Sequence, residues 1–595
     1  MVGGLVRAMV KEDAMGSAAR RGAAAALAAL GLLAPVGAAG RAVHDLCPGV
    51  RFVGADPGLN EVEKRLVCGD PDSEGWKRVS LPQAKGFLRA FLQRRGYGLA
   101  TFQSEDRLLV VDIGTPTVVG KFTGSGIDGI FDLGKRSGFV GNLLTPALLD
   151  KAQKAVLWEL QSRGYACPRV AVTGDARTGE VHVDVDPGGI YRFSEIPPAP
   201  IPGIDPAVLD RFRAFVYGKP FDIRLLSLTA ERLKQEELFM NAAYEVACGT
   251  DGPRVTQHVV SAPPRLVTIG VGADTEGLVR GRARFQHSRI GYRASSAELE
   301  LSASRLEQAL SGSMRVYLRP ADRLHLVPAA FLRREDDAPY SAAHAQASLG
   351  PAWTRDFSGF SLELRGGPAV EYFNTLTGLG PSRARWLGLQ TRALARSHEH
   401  EYYQRDPRQG WSFTLETASR LAGAYSSISV HRLRLGAEAL WNLGRFDPAV
   451  AIFAARGFLT TTWIAQPAAA FTRLPPSDRT FFGGEADLRG LGRKQLPGDR
   501  TGFLTAVYDG LELRAGELLP YNFQPLAFID AAMGGVRDFH LDPDVYYSPG
   551  CGLRWPSPVG TFRLTLARGL AWRRGSLTAP PTPRWQFFLG YGKEF

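Results

Sequence analysis

Phe481-Phe482-Gly483-Gly484-Glu485-Ala486-Asp487-Leu488-Arg489-Gly490 is the stretch on which the reading of this chain turns. Its paired glycines free the backbone to turn through positive φ and to pass close to other groups. One arginine follows, inside an apolar Leu-Arg-Gly-Leu turn. The segments on both sides alternate apolar and polar residues with a period of two, the pattern of strands. An arginine on a long loop between barrel strands either faces solvent or folds back and pairs inside. Alone, a loop arginine belongs in solvent, where an ion pair is worth little. The rest of the chain decides between the two.

From Arg265 onward the alternation persists. Met314, Val316 and Leu318 share one face of a strand, and so do Phe562, Leu564 and Leu566. In the last segment Trp585, Phe587, Leu589, Tyr591 and the terminal Phe595 do the same, with Lys593 as the polar interruption. Glycine (67 residues) and aromatics (10 %) are plentiful, which suits strands, turns and aromatic girdles. Beyond the N-terminus no run approaches the ~20 apolar residues of a membrane helix. A membrane span must then be a barrel. Residues 264–595 are expected to form a transmembrane antiparallel β-barrel of sixteen strands, with about 21 residues per strand and connection.

Residues 1–39 read as a secretory signal. Arg20-Arg21 supply the charged region, Ala23 to Leu33 the apolar one, and Pro35 to Ala39 the small residues for cleavage. Met15 is an alternative start to Met1. Export excludes nucleic acid as a partner, although the net charge is +12. The arginines also alternate along strands (Arg280, Arg282, Arg284; Arg392, Arg396) instead of clustering. A polar lumen and loops facing lipopolysaccharide account for the basicity. Export also permits disulfides. Cys47 and Cys68 are close enough in sequence to pair, Cys167 and Cys248 lie in separate repeats, and with Cys551 the odd count leaves one thiol over.

Between the signal and the barrel a small unit recurs. Ser80 to Gln83 has the form of a capping box and opens a helix with Phe87, Leu88, Phe91 and Leu92 on one face. Thr145-Pro146 opens a second helix, striped by Leu148, Leu149, Ala152, Val156 and Leu160. A third is expected over Leu228–Ala242. Gly-Tyr pairs end the first two helices at Tyr97 and Tyr165, and Tyr244 stands in the corresponding place of the third.

This layout resembles three tandem POTRA domains, over 45–115, 116–187 and 188–262. The region after them resembles the barrel of the BamA/TamA outer-membrane insertase superfamily. Four stretches carry the resemblance. Pro264 to Gly277 is similar to the first barrel strand and its turn. Phe482-Gly483-Gly484 with Leu488-Arg489-Gly490 is similar to the F-x-G-G…R-G element of the sixth extracellular loop. Ala527 to Ala532 is similar to the inward F-x-D-x-G strand, with Ala532 in place of glycine. Gly550 to Gly560 is similar to the penultimate strand, and the ending on Phe595 resembles the C-terminal β-signal of such barrels. Three POTRA-like repeats favour TamA within the superfamily.

The resemblance implies a bacterial outer-membrane protein with its POTRA repeats in the periplasm. It implies that Arg489 docks in the lumen on Asp530, with Glu512 as second partner, and that Phe482, Gly483, Gly484 and Gly490 complete this latch. It implies a seam between the strand near Leu266–Ala273 and the strand Trp585–Phe595, loosened by Gly270, Gly272, Gly590 and Gly592 and closed by Phe595. Clients would be unfolded β-barrel or autotransporter-type proteins, inserted or exported through the seam. An inner-membrane TamB-like partner would meet the first POTRA. The alternatives are a two-partner-secretion transporter of one client and a passive porin-like or adhesin barrel. No enzyme is expected. G-x-S-x-G, zinc spacing and phosphate loops are missing from the sequence, and Glu485 and Asp487 sit on a glycine loop rather than as a catalytic pair. No catalytic residue, metal or cofactor is assigned.

Overall fold

The computed structural model describes residues 42–591 apart from 71–78, 106, 127–132, 134–137, 251, 405–406, 424–427, 445–448, 465–469, 517–518, 558–559, 574–575 and 579–584. The signal segment, Gly592 and Phe595 lie outside the described residues.

The first α+β unit holds β1 (Val43–Cys47), β2 (Val50–Val53), α1 (Glu61–Cys68), α2 (Leu81–Arg94), β3 (Thr101–Glu105) and β4 (Leu108–Asp112). Its sheet runs β1-β2-β4-β3, with β2 parallel to β4. Phe52, Leu88, Leu92, Leu109 and Val111 close its core. The capping box is at α1, not α2. The Asn60 side chain accepts from Glu63 N while Glu63 answers to Asn60 N. Ser80 instead spends its hydroxyl on the Gln83 side chain at 2.9 Å, and Phe87 points outward, stacked on Phe91. Glu63 also accepts from Arg95, and this bond holds its carboxyl below the usual range. Cys47 and Cys68 form a disulfide that ties β1 to the end of α1.

The second unit begins with β5 (Lys121–Ser125), α3 (Pro146–Gln161), β6 (Arg169–Asp175) and β7 (Glu180–Asp186), in sheet order β5-β7-β6. A 3-10 turn over Pro206–Phe212, α4 (Ile223–Gln235), β8 (Phe239–Gly249) and β9 (Gly252–Ser261) follow. The helix expected over Leu228–Ala242 is therefore α4, starting earlier and ending earlier. Asp222 caps it by accepting from Arg224 N, and Glu237 takes positive φ directly after it. The chain then extends, so Tyr244 lies in mid-strand, where Gln257 donates to its hydroxyl at 2.8 Å. Cys167 and Cys248, from what the sequence reads as separate repeats, are joined. Cys167 packs against an apolar cluster containing Ala166, Phe193, Phe215, Phe221 and Leu226. Replacing both by serine is expected to cost about 2–4 kcal/mol, because the disulfide constrains a long loop of the unfolded chain. Urea unfolding of the α+β part, followed while the barrel stays folded, measures this.

The rest is a closed barrel. Its strands are β10 (Arg265–Asp274), β11 (Leu278–Ile290), β12 (Ser295–Ser304), β13 (Glu307–Tyr317), β14 (His325–Asp337), β15 (Tyr340–Phe357), β16 (Phe360–Thr377) and β17 (Ala384–Ser397), then β18 (Gly410–Arg420), β19 (Val430–Leu443) and β20 (Ala451–Ile464). They continue as β21 (Thr505–Ala515), β22 (Gln524–Gly535), β23 (Val545–Ser557), β24 (Gly560–Arg568), β25 (Leu570–Arg573), β26 (Ser576–Thr578) and β27 (Trp585–Tyr591). The pairs β24–β25 and β26–β27 each act as one spanning strand, giving sixteen antiparallel staves. Closure removes the free edges that lipid cannot satisfy. Leu564, Leu566, Phe587 and Leu589 face outward, while Arg563, Thr565 and Phe588 face in. Arg282 and Arg284 pair with Glu300 and Glu298 on the neighbouring strand.

The last α+β segment is bolted to the end of the barrel where β10 begins. Arg232 of α4 donates to both Asp356 oxygens at 2.8 and 3.0 Å and to Glu401 at 2.6 and 2.9 Å. Glu401 sits on α5 (His398–Tyr402), the turn between β17 and β18. Burial disfavours the Arg232 charge, but Glu401 and Asp356 outweigh it and raise its pKa. Arg211 stacks on Tyr317 and donates to the Pro320 and Arg293 carbonyls at 2.7 and 2.8 Å.

Candidate functional site: a loop latched inside the barrel

The connection between β20 and β21 does not project away from the barrel. It turns back on itself, with bridges Thr480–Phe503 and Phe482–Leu496. Gly483 and Gly484, at φ of 115° and 113°, make the reversal, a region closed to most side chains. Asp487 fixes the turn by accepting from Gly483 N at 2.6 Å and Leu488 N at 2.5 Å. Phe482, Leu488, Leu491, Leu496 and Phe503 then form an apolar cluster with Tyr508 and Ala532 of the inner wall. Ala532, which stands where the resembled motif has glycine, is part of that packing.

This fold-back delivers Arg489 to the wall. Strand periodicity puts Tyr508, Gly510, Glu512 and Arg514 of β21 on the lumen face, beside Leu526, Phe528, Asp530 and Ala532 of β22. Arg489 Nε and Nη2 donate to the two Asp530 oxygens at 2.9 and 2.7 Å, its backbone N–H to Asp530 at 3.2 Å, and Nη1 to Glu512 at 2.7 Å. Its guanidinium lies 3.4 Å from the Phe528 ring centroid. Arg489, Glu512 and Asp530 are at most 1 % exposed. A fork this well matched to a carboxylate gives geometry as well as energy.

Sequence reasoning named Arg489, Asp530 and Glu512, and the fold brings all three together. It missed the groups that complete the site. Arg514 and Arg563 donate to Glu512 at 2.8 and 2.5 Å, and the Tyr508 hydroxyl donates to Asp530 at 3.2 Å. It also missed Gly569, which interrupts β24 and β25. A Cβ on Gly490 would collide with the Arg568–Gly569 backbone, and one on Gly569 would lie 2.7 Å from the Gly490 carbonyl. The two glycines let backbone lie on backbone, which places Arg489 within reach. Gly569→Val is expected to push the tip off the wall at a cost of about 1–3 kcal/mol, as overpacking does. A lower temperature for the folded-to-unfolded mobility shift on semi-native gels would show it.

Two further sets of ion pairs hold the loop. Arg420 of β18 bridges Glu371 of β16 and Asp478 of the outgoing limb, at 2.8 and 2.6 Å. Arg493 and Lys494 of the returning limb reach Asp337 of β14 at 2.7 and 2.5 Å. A lumen cavity of about 280 Å³ lies between the α5 segment and the strands past the latch, lined by His400, Gln409, Glu438, Arg514, Arg554 and Arg563. No cluster of His, Cys, Asp and Glu suited to a metal ion occurs among the described residues.

The seam is the second element of the site. β10 pairs with β11 over its whole length, from Arg265 to Asp274. On its other edge, among the described residues, the ladder has the single pair Asp274–Gly590. Thr275 N adds a bond to Leu589 O at 3.1 Å. Ile269 is 76 % exposed. A side chain at Gly270 would meet nothing within 4 Å, and one at Gly272 would sit 3.4 Å from Tyr591 O, so neither glycine is demanded by crowding. Gly590 is different, because a Cβ there would lie 2.7 Å from the Glu485 carboxylate of the loop.

Residues 397–595, which include the loop, its wall and β27, match the model of the Omp85 superfamily domain. None of the curated proteins matches the chain. Among solved structures, BamA from Haemophilus ducreyi lacking POTRA domains 1–3 is similar at 16 % identity, covering 79 % of this chain and 98 % of that one, with a TM-score of 0.47. CdiB from Acinetobacter baumannii is similar at 13 % identity, 80 % and 90 % coverage and a TM-score of 0.45. POTRA domains 3–5 of BamA from Haemophilus influenzae are similar at 15 % identity over 38 % of this chain and all of that one, with a TM-score of 0.25.

Proposed function

We propose that this chain is an outer-membrane barrel of the Omp85 superfamily, its α+β repeats on the periplasmic side, and that it handles β-rich client polypeptides by lending them the edge of β10. The observation that carries this reading is the asymmetry of that strand. Among the described residues, one edge is paired from Arg265 to Asp274 and the other meets β27 at one ladder position. An unpaired strand edge is a template for another strand, and main-chain hydrogen bonds give such pairing its affinity without reading sequence. A client strand entering at the seam keeps its backbone groups bonded while in lipid, which is the main obstacle to insertion. The barrel makes and breaks no covalent bond in this scheme.

The finer assignment is a TamA-like role with autotransporter-type clients. On this reading an inner-membrane, TamB-like partner meets the first repeat. There α1 keeps Val62 and Leu66 outward one turn apart, an apolar edge for a partner. The lumen latch keeps β21 and β22, on the C-terminal flank of the seam, rigid while β10 and β27 part.

Photo-crosslinking from Ile269 in living cells tests the proposal. Trapped, partly folded outer-membrane or autotransporter chains support it. Adducts only with lipid or with the barrel itself overturn it, and a single large secreted client would assign the chain to two-partner secretion instead.

A further inference from the structure

The Gly483-Gly484-Glu485 turn does more than reverse the loop. Glu276 lies on the turn between β10 and β11, and Glu485 N donates to its Oε1 at 3.1 Å. Arg493 Nη1 lies 3.7 Å from Glu276 Oε2, and the same Arg493 is tied to Asp337 of β14. The Glu276 side chain is 7 % exposed. Gly484 has no room for a side chain because a Cβ would strike the Glu276 carboxylate. The Glu485 carboxylate meanwhile lies over Gly590 of β27. Residue 485 therefore touches both sides of the seam, through its backbone to the β10–β11 turn and through its side chain to the last strand.

The loop's two anchorages give this contact leverage. The tip is fixed to β21 and β22 through Arg489, on the C-terminal flank of the seam. The returning limb is fixed to β14 and Glu276 through Arg493 and Lys494, on the N-terminal flank. Among the described residues the strands at the seam share one ladder pair. The loop's ion pairs thus join the two flanks through the lumen as well.

We propose that Gly484–Glu485, held by Glu276 and Arg493, is a clasp behind the seam that sets how readily β10 and β27 separate. The clasp rests on the reading of the seam as the working edge, but its physical content is separable from it. Opening the seam requires the β10–β11 turn to leave the loop, so the Glu485–Glu276 bond and the Arg493–Glu276 contact must break first. Glu276→Gln keeps an acceptor for Glu485 N and drops the attraction to Arg493, whereas Glu276→Ala drops both. Arg493→Gln also drops that side chain's pair with Asp337, while Lys494 still holds Asp337.

The test is amide hydrogen exchange, read by mass spectrometry on the full chain in lipid nanodiscs. In Glu276→Ala, peptides covering 265–274 and 585–591 should exchange about three- to tenfold faster, the factor set by one lost hydrogen bond. Arg493→Gln should move the same peptides in the same direction, and Glu276→Gln should fall between wild type and Glu276→Ala. Peptides from β15 and β16 should not change. Unchanged exchange at the seam in both Glu276→Ala and Arg493→Gln overturns the clasp, and so does a rise spread evenly over the barrel. If the seam loosens as expected but a covalently locked seam still supports client insertion, the clasp stands and the proposed function falls.

Discussion

Arg489→Ala yields a barrel that closes but no longer holds its loop, and the damage centres on Asp530. Glu512 keeps two guanidinium partners, Arg514 and Arg563, when Arg489 is gone. Among the described residues, Asp530 keeps only the Tyr508 hydroxyl as a side-chain donor. It is a fully buried carboxylate. Leaving such a charge without its cation costs about 3–5 kcal/mol, most of it desolvation that was offset before. The expected signs are a lowered transition on semi-native gels, new protease sensitivity within 476–504, and impaired client insertion with the periplasmic repeats still folded. The cause is tested by a second substitution. Arg489→Ala with Asp530→Asn removes the stranded charge along with its partner, so the double variant should recover part of the loss. If Arg489→Ala is as stable as wild type, or if Asp530→Asn deepens its defect, the loop is held by its apolar cluster and the ion pair is incidental. Asp530→Asn alone should impair insertion, and wild-type behaviour there would also reject the latch.

Much of the barrel was legible because period-two alternation is a local property. Leu564 and Leu566 out, Arg563 and Thr565 in, needs no knowledge of what lies across the lumen. The latch was legible through motif resemblance, which supplied the pairing of Arg489 with Asp530. Local pattern fails where a residue's role is fixed by register. Arg563 reaches Glu512 from another strand, and nothing near position 563 announces it. Gly569 fails for a related reason. A glycine required by the approach of another backbone looks in sequence like any turn glycine. The α4 error was of another kind. Leucine spacing carried the expected helix into Phe239 and Ala242, residues that β8 buries equally well. The Asp222 cap and the turn at Glu237 were the stronger signals. The Cys167–Cys248 link crosses what the sequence divides into separate repeats, so repeat boundaries alone could not pair them.

A seam that works by opening should fail when it cannot open. Thr275 and Leu589 face each other there, since Thr275 N donates to Leu589 O at 3.1 Å and Leu589 N to the Thr275 hydroxyl at 3.3 Å. The pair Thr275→Cys and Leu589→Cys, in a Cys551→Ser background, places two thiols across the seam and removes the exposed free one. Oxidation should then abolish client insertion, because β10 is covalently held to β27 and offers no edge. Reduction should restore it. The reductant also reaches Cys47–Cys68 and Cys167–Cys248, so the Cys551→Ser parent, oxidised and reduced alongside, isolates the effect of the lock. Barrel folding is checked by the unchanged mobility of the locked form. A passive pore conducts through its lumen and has no need of the seam, so locking should leave its conductance as it was. If the locked barrel inserts or exports clients at the parent's rate, strand lending at the seam is wrong. The polypeptide path would then have to run through the lumen, where the latched loop now lies.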